Sequence, residues 1–238
     1  MGKMYCISDI HGIYPIFEQI KNFLRPDDKC YVLGDCADRG SEGWRIIKEV
    51  IKDDRFIYLK GNHEEMLVKS CGTSDGYTFG SEDHSLWMNN GGEQTYLDWL
   101  YDINRSEWLN IIKKLPTHAI YVNKNGKEIR LSHAGYTPGY YANSILPYDE
   151  DLLWDRRHVK QEWNEEEFPN TIIVHGHTPS LHVDMRLGAE VFKDIYNPTA
   201  YWYCNNHKVC IDCGTYATGI AVMLDLDTFE EHIFTTQL

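Results

Sequence analysis

Gly34-Asp35-Cys36-Ala37-Asp38-Arg39-Gly40 sets two carboxylates and a guanidinium between two hydrophobic segments. Before it, Cys30-Tyr31-Val32-Leu33 reads as a buried strand; after it, Trp44, Ile47, Val50 and Ile51 recur at helical spacing. The polar groups therefore occupy a strand-to-helix turn, which in an open α/β sheet is the carboxyl edge where ligands bind. Glycines at both ends permit a sharp turn and close approach of a bound group. Read alone, the stretch is equally an ordinary βα loop with a capping Asp and a surface Arg.

The pattern repeats on both sides. Residues 3–8 form a first strand, followed at once by Asp9-Ile10-His11-Gly12. An Asp and a His two apart in an extended turn can offer an oxygen and a nitrogen to one metal ion. An N-cap Asp beside an incidental His is the plainer alternative. The next helix carries Ile16, Phe17, Ile20, Phe23 and Leu24 on one face. Arg55-Phe56-Ile57-Tyr58-Leu59 supplies a third strand, and Gly61-Asn62-His63-Glu64 fills the turn after it. Three successive βα turns with metal-competent or acid–base side chains argue for one shared site at the sheet edge.

Residues 64–116 change to a helical pattern, with apolar stripes at Tyr96, Leu97 and Leu100 and at Trp108, Leu109 and Ile112. This stretch is expected as a helical insert beside the site, a substrate-shaping cap with no chemistry of its own. Gly91-Gly92 is expected to turn between helices. Strands resume at 119–122, turn at Asn125-Gly126 as a two-residue hairpin, and return at 128–131 into Ser132-His133-Ala134-Gly135. The aromatic stretch 136–168 contains Trp154-Asp155-Arg156-Arg157, where an Arg suits either forked binding of phosphate oxygens or a surface salt bridge. A strand at 171–174 ends in His175-Gly176-His177-Thr178-Pro179, and the chain is β-rich thereafter.

A chain of 238 residues is long enough to bury a core without staples, and one domain spanning 1–238 is expected. The formal charge of 23 − 36 = −13 and the lack of a basic stripe argue against a nucleic-acid partner. They do not forbid a phosphorylated substrate, because bound cations make a pocket locally positive. No apolar run reaches the length of a membrane span, and the amino terminus lacks a signal-peptide hydrophobic region. Seven scattered cysteines suit a reducing cytoplasm. Cys204, His207, Cys210 and Cys213 fall at steps of three, which alternate faces on a strand, so buried cysteines are expected there and not a zinc site. Cys36, next to Asp35, is expected to be a target of peroxide.

Taken in order, the motifs at 9–12, 34–40 and 61–64, then Ser132-His133-Ala134-Gly135 and Gly176-His177, resemble those of the calcineurin-like metallophosphoesterases. They most closely resemble the PPP-type serine/threonine protein phosphatases in their short bacterial and phage form. The resemblance implies an α/β fold of two stacked β-sheets flanked by helices, a four-layer α/β/β/α sandwich, with a dinuclear centre at the strand ends. It implies Asp9, His11 and Asp35 on one metal and Asp35, Asn62, His133 and His177 on the other, with Asp35 bridging. The cations would be divalent, manganese foremost, with iron and zinc suited to the same ligand types. Such a pair, about 3.5–4 Å apart, clamps a phosphoryl group for in-line attack by a metal-bridging hydroxide.

By the same resemblance, Arg39, Arg156, Asn62 and His63 hold phosphate oxygens, and His63, oriented by Asp38, protonates the leaving oxygen. His175 is left as a supporting or core residue. His133-Ala134-Gly135 departs from the glycine pair of many relatives, and Pro179 stands where related phosphodiesterases carry another histidine. The implied activity is hydrolysis of phosphoserine and phosphothreonine in protein or peptide substrates. The alternative is dinucleoside polyphosphate hydrolysis, performed by relatives that tend to lack Asp38 and to carry Asp at position 64. A third reading, a non-catalytic phosphoprotein scaffold, predicts a lost ligand or a lost His63, and neither is missing.

Overall fold

The computed structural model describes residues 2–72, 81–136, 149–166, 168–187 and 197–238. Strands β1 (Met4–Ile7), β2 (Lys29–Val32) and β3 (Phe56–Tyr58) lie parallel, with helices α1 (Tyr14–Phe23) and α2 (Gly43–Lys52) as their crossovers. Pro15 sits in the first turn of α1, where its missing N–H removes no helical bond. β9 (Ile220–Asp225) and β10 (Glu231–Thr235) join antiparallel to complete a sheet of order β10-β9-β1-β2-β3.

A second sheet contains β4 (His118–Val122), β5 (Glu128–Ser132), β6 (Thr171–His175), β7 (Tyr201–Tyr203) and β8 (Lys208–Cys210), in the order β4-β5-β6-β8-β7. Its three central strands are parallel and its two edges antiparallel. Alternation along each strand explains how the sheets stack. Tyr5, Ile7, Cys30 and Val32 face the helices, whereas Cys6, Tyr31 and Leu33 meet Ile129, Leu131, Val174 and Val209 between the sheets. Strands buried on both faces read as continuous apolar runs, as these do.

Helices α3 (Asn62–Cys71), α4 (Glu82–Asn89), α5 (Glu93–Tyr101) and α6 (Arg105–Lys113) extend the layer begun by α1 and α2, and Trp87, Trp99 and Ile112 join its core. On the far side, α7 (Asp149–Trp154) and α8 (Ser180–Leu187) flank the second sheet, where Leu152 packs with Ile173 and Val183 with Cys210. The architecture is therefore helix, sheet, sheet, helix, as the resemblance implied. A short helix, α9 (Thr215–Thr218), precedes β9. No helix among the described residues is long and apolar enough to cross a membrane.

One expectation is refined. The β4–β5 connection is longer than a two-residue hairpin: Asn123 pairs with Lys127, and the Gly126 N–H bonds to the Asn123 carbonyl. Gly126 takes φ +74°, so the glycine serves a three-residue loop of the bulged kind. Residues 137–148, within the aromatic stretch read from the sequence, lie outside the described residues.

Lys208, on β8, is wholly buried, with Nζ donating to the carbonyls of His158 (2.6 Å) and Gln161 (3.1 Å). Burial lowers its pKa from 10.5 to about 8. The unfolded chain therefore holds more protons than the native one between these values, and stability rises with pH across that window. Between pH 7.5 and 9.5 the wild type should gain about 2 kcal/mol relative to Lys208→Met in urea unfolding. Parallel pH profiles for the two proteins would contradict this.

Candidate active site

The polar turns converge because β1, β2, β3, β5 and β6 present their carboxyl ends on one side of the stacked sheets. The first two turns are hydrogen-bonded side by side: Asp9 N to Gly34 O (3.3 Å), His11 N to Asp35 O (2.9 Å) and Gly12 N to Cys36 O (3.0 Å). From the second sheet, the His177 N–H reaches Asp9 Oδ2 at 3.0 Å, and the Ser8 hydroxyl donates to the same oxygen. Asp9, His11, Asp35, Asp38, Arg39 and His177 all have φ between +46° and +67°. Non-glycine residues enter this region only when the surroundings hold them there, and such strain concentrates at functional sites. Gly34, at φ +89°, cannot carry a side chain, since a Cβ would collide with the Gly61 backbone.

Glu64 holds this arrangement. Its carboxylate accepts from the backbone N–H groups of Asp35 (2.8 Å), Cys36 (3.0 Å), Ala37 (3.2 Å) and Gly61 (2.9 Å), and from the Tyr58 hydroxyl (2.8 Å). It stands in the first turn of α3, where the helix dipole favours negative charge. Asp35 Oδ1 in turn accepts from the His63 N–H at 3.0 Å.

The donor chemistry fits divalent cations. His133 gives its Nδ1 proton to the Leu33 carbonyl (2.8 Å), which leaves the Nε2 lone pair facing Asn62 Oδ1 (2.7 Å), His177 Nδ1 (3.1 Å) and Asp35 Oδ2 (3.4 Å). His11 gives its Nδ1 proton to the Ala37 carbonyl (2.9 Å), and its Nε2 faces Asp35 Oδ2 (3.6 Å) and Asp9 Oδ1 (3.8 Å). Lone pairs converging in a buried crevice repel one another unless a cation lies among them. Two such groups, His11–Asp35–His63 and Asp9–Asp35–His133, keep their ligand atoms within 4.8 Å, and Asp35 belongs to both. Burial holds His11, His63, His133 and His177 below the usual histidine pKa, so each keeps a lone pair. Burial, then the charges of Asp9 and Glu64, pushes Asp35 well up, a load that a bound cation relieves.

Beside this cluster, His63 Nδ1 meets Asp38 Oδ2 at 2.6 Å, and the Trp87 indole donates to the same oxygen at 2.7 Å. Burial raises Asp38 to about 7 against the hydrogen bonds of Thr95 and Trp87. The Arg39 guanidinium donates to His11 Nε2 (2.9 Å) and His63 Nε2 (3.1 Å), while the Arg39 backbone N–H donates to the Gly91 carbonyl (3.0 Å). The helical stretch thus does more than shape a cap. Trp87 bonds to the Asp38 carboxylate, while Thr95 and Gly91 accept from the backbone N–H groups of Asp38 and Arg39.

Arg157 is tied to Asp155 (2.8 Å) and Asp151 (3.0 Å), whereas Arg156 lines an open cavity next to His177. His175 points away from the cluster and bonds to the Tyr203 hydroxyl at 2.8 Å. Cys204, Cys210 and Cys213 direct their sulfurs to three different carbonyls, and His207 stacks on Trp163, so they form no common site. The expectation for Cys36 does not survive: it is 1 % exposed, and burial pushes its thiol well up, which denies peroxide the thiolate it attacks. Asp212 was missed. It is a buried carboxylate at the end of β8, pushed up by burial and by the charge of Asp9, and Ile211-Asp212-Cys213-Gly214 repeats the strand–Asp–Gly signal of the other turns.

Replacing Glu64 by Gln turns an acceptor into a donor opposite backbone N–H groups, and should destabilise the chain by about 3 kcal/mol in urea unfolding. A loss below about 0.5 kcal/mol, the size of an ordinary surface change, would remove Glu64 from its central place.

Comparison with known proteins agrees with this geometry. The model of the family described as calcineurin-like phosphoesterase matches residues 2–209. Serine/threonine-protein phosphatase 2 of Escherichia coli (strain K12) is 27% identical over 171 residues, covering 68% of this chain and 72% of that protein. The asymmetrical bis(5'-nucleosyl)-tetraphosphatase PrpE of Anoxybacillus flavithermus is 25% identical over 197 residues, covering 73% and 77%. A solved structure of a proposed diadenosine tetraphosphatase superposes with a TM-score of 0.65 at 13% identity, covering 99% of this chain and 94% of that one. The fold, the converging donors and the family match together make this chain a member of the calcineurin-like phosphoesterases.

Proposed function

We propose that this chain is a dinuclear-metal phosphomonoesterase that hydrolyses phosphoserine and phosphothreonine in proteins. The observation that carries this reading is the His63–Asp38 pair, buried beside the donor cluster and braced by Trp87. Asp9, His11 and Asp35 would hold one cation and Asp35, Asn62, His133 and His177 the other. Two divalent cations held there, Mn2+ foremost, would supply charge neutralisation and acidify water near neutral pH.

The chain's own groups account for the rest. Arg39 and Arg156 would bind phosphate oxygens and offset the charge that grows as the ester bond breaks. His63 delivers a proton to the leaving alkoxide, and Asp38 orients its ring and stabilises the charged imidazole. A phosphoserine or phosphothreonine alkoxide is a poor leaving group and needs that proton. Hydrolysis of dinucleoside tetraphosphates is the second reading, supported by relatives with that name.

Chelator-treated protein given back Mn2+ should release phosphate from a phosphothreonine peptide; turnover of diadenosine tetraphosphate alone would favour the second reading. In His63→Asn, kcat on the peptide should fall by about 10²- to 10⁴-fold. On p-nitrophenyl phosphate, whose leaving group needs no proton, the fall should be far smaller. Equal falls on both substrates would count against proton donation by His63.

A further inference from the structure

We propose that the basic cavity beside the donor cluster binds a second phosphate of the substrate, so that preferred substrates carry one phosphate beyond the one hydrolysed. This rests on the phosphoryl-hydrolase reading above. The cavity, of about 470 Å³, is lined by Arg156, Lys160, Thr178, Pro179, His182 and Arg186. It adjoins the donor cluster, since Thr178 follows His177 and the Arg156 charge acts on His177.

Charge and pairing point to an anion. In a chain of net charge −13, three permanent cations and a histidine converge here, and none of these lining residues is acidic. Arg186 stands close enough to Arg156 for the two charges to repel, while Asp212, Asp9 and Asp35 attract Arg156 from the side of the donor cluster. Elsewhere, Arg25, Arg45, Arg55, Arg130 and Arg157 each hold a carboxylate. Arg156, Lys160 and Arg186 have no ion pair among the described residues. Guanidinium and ammonium groups gathered without a carboxylate in contact suit a phosphate, which accepts forked hydrogen bonds and neutralises several cations at once. The volume leaves room for the group that bears it. A second phosphorylated residue of a peptide and the neighbouring phosphates of a phosphoanhydride chain present this same chemistry.

The test compares kcat/KM of Mn2+-loaded wild type and Lys160→Ala/Arg186→Ala on four substrates. These are a singly and a doubly phosphorylated threonine peptide of one sequence, diadenosine tetraphosphate, and p-nitrophenyl phosphate. The wild type should prefer the doubly phosphorylated peptide by about tenfold, chiefly through KM. The double variant should lose that preference and keep its rate on p-nitrophenyl phosphate. A variant-dependent loss confined to diadenosine tetraphosphate would support the cavity's role and assign the second phosphate to a phosphoanhydride chain. Equal rates on the two peptides, with no loss on the dinucleotide, would overturn the cavity's role and leave the hydrolase reading intact. A uniform loss that includes p-nitrophenyl phosphate would also overturn it, by placing these residues in support of the catalytic centre. No turnover of any ester by the metal-loaded wild type would remove the reading on which the proposal rests.

Discussion

One carboxylate organises this molecule's chemistry. Glu64 gathers four backbone N–H groups and a tyrosine hydroxyl at the start of α3, and three of those N–H groups belong to consecutive residues of the turn after β2. A buried negative charge is tolerated there because the donors and the helix terminus surround it. In exchange, the Asp35 turn is held in a left-handed conformation that it would not keep alone. The strain at Asp35 is matched at Asp9 and His11, and the hydrogen bonds between the two turns make them one unit.

The two sheets solve a related problem. The strands β1, β2 and β6 are largely apolar on both faces, so their polar side chains gather where those strands end. Parallel strands in both sheets bring those ends to one edge. His133 and His177 thereby meet Asp35 and Asn62 although more than a hundred residues separate some of them in sequence. The helices after α3 add the last constraint. Trp87 and Thr95 bond to Asp38, and Gly91 to Arg39, so the outer layer sets the orientation of the groups that flank the donors.

Much of this was legible in the sequence because the loaded turns sit immediately after short apolar runs. Strand and helix positions followed from the period of the apolar residues. What stayed hidden depends on distance in space. Trp87 looks like any core aromatic, and only the fold turns its indole toward Asp38. Glu64 was visible as a motif letter, but its grip on the Asp35 turn is a tertiary fact. Cys36 is adjacent to Asp35 in sequence, yet it is buried in the core cluster that the first sheet shares with the helices. Asn125-Gly126 signals a turn, but the loop length was fixed by the pairing of Asn123 with Lys127.

The central claim is that Asp35 is shared by two cation sites built from both sheets. Calorimetric titration of the chelator-stripped chain with Mn2+, beside the same titration of Asp35→Asn, tests it most directly. Two equivalents bound per wild-type chain, with both sites weakened together in the variant, is the predicted result. A single equivalent in the wild type, or one site left untouched in Asp35→Asn, would contradict the shared ligand.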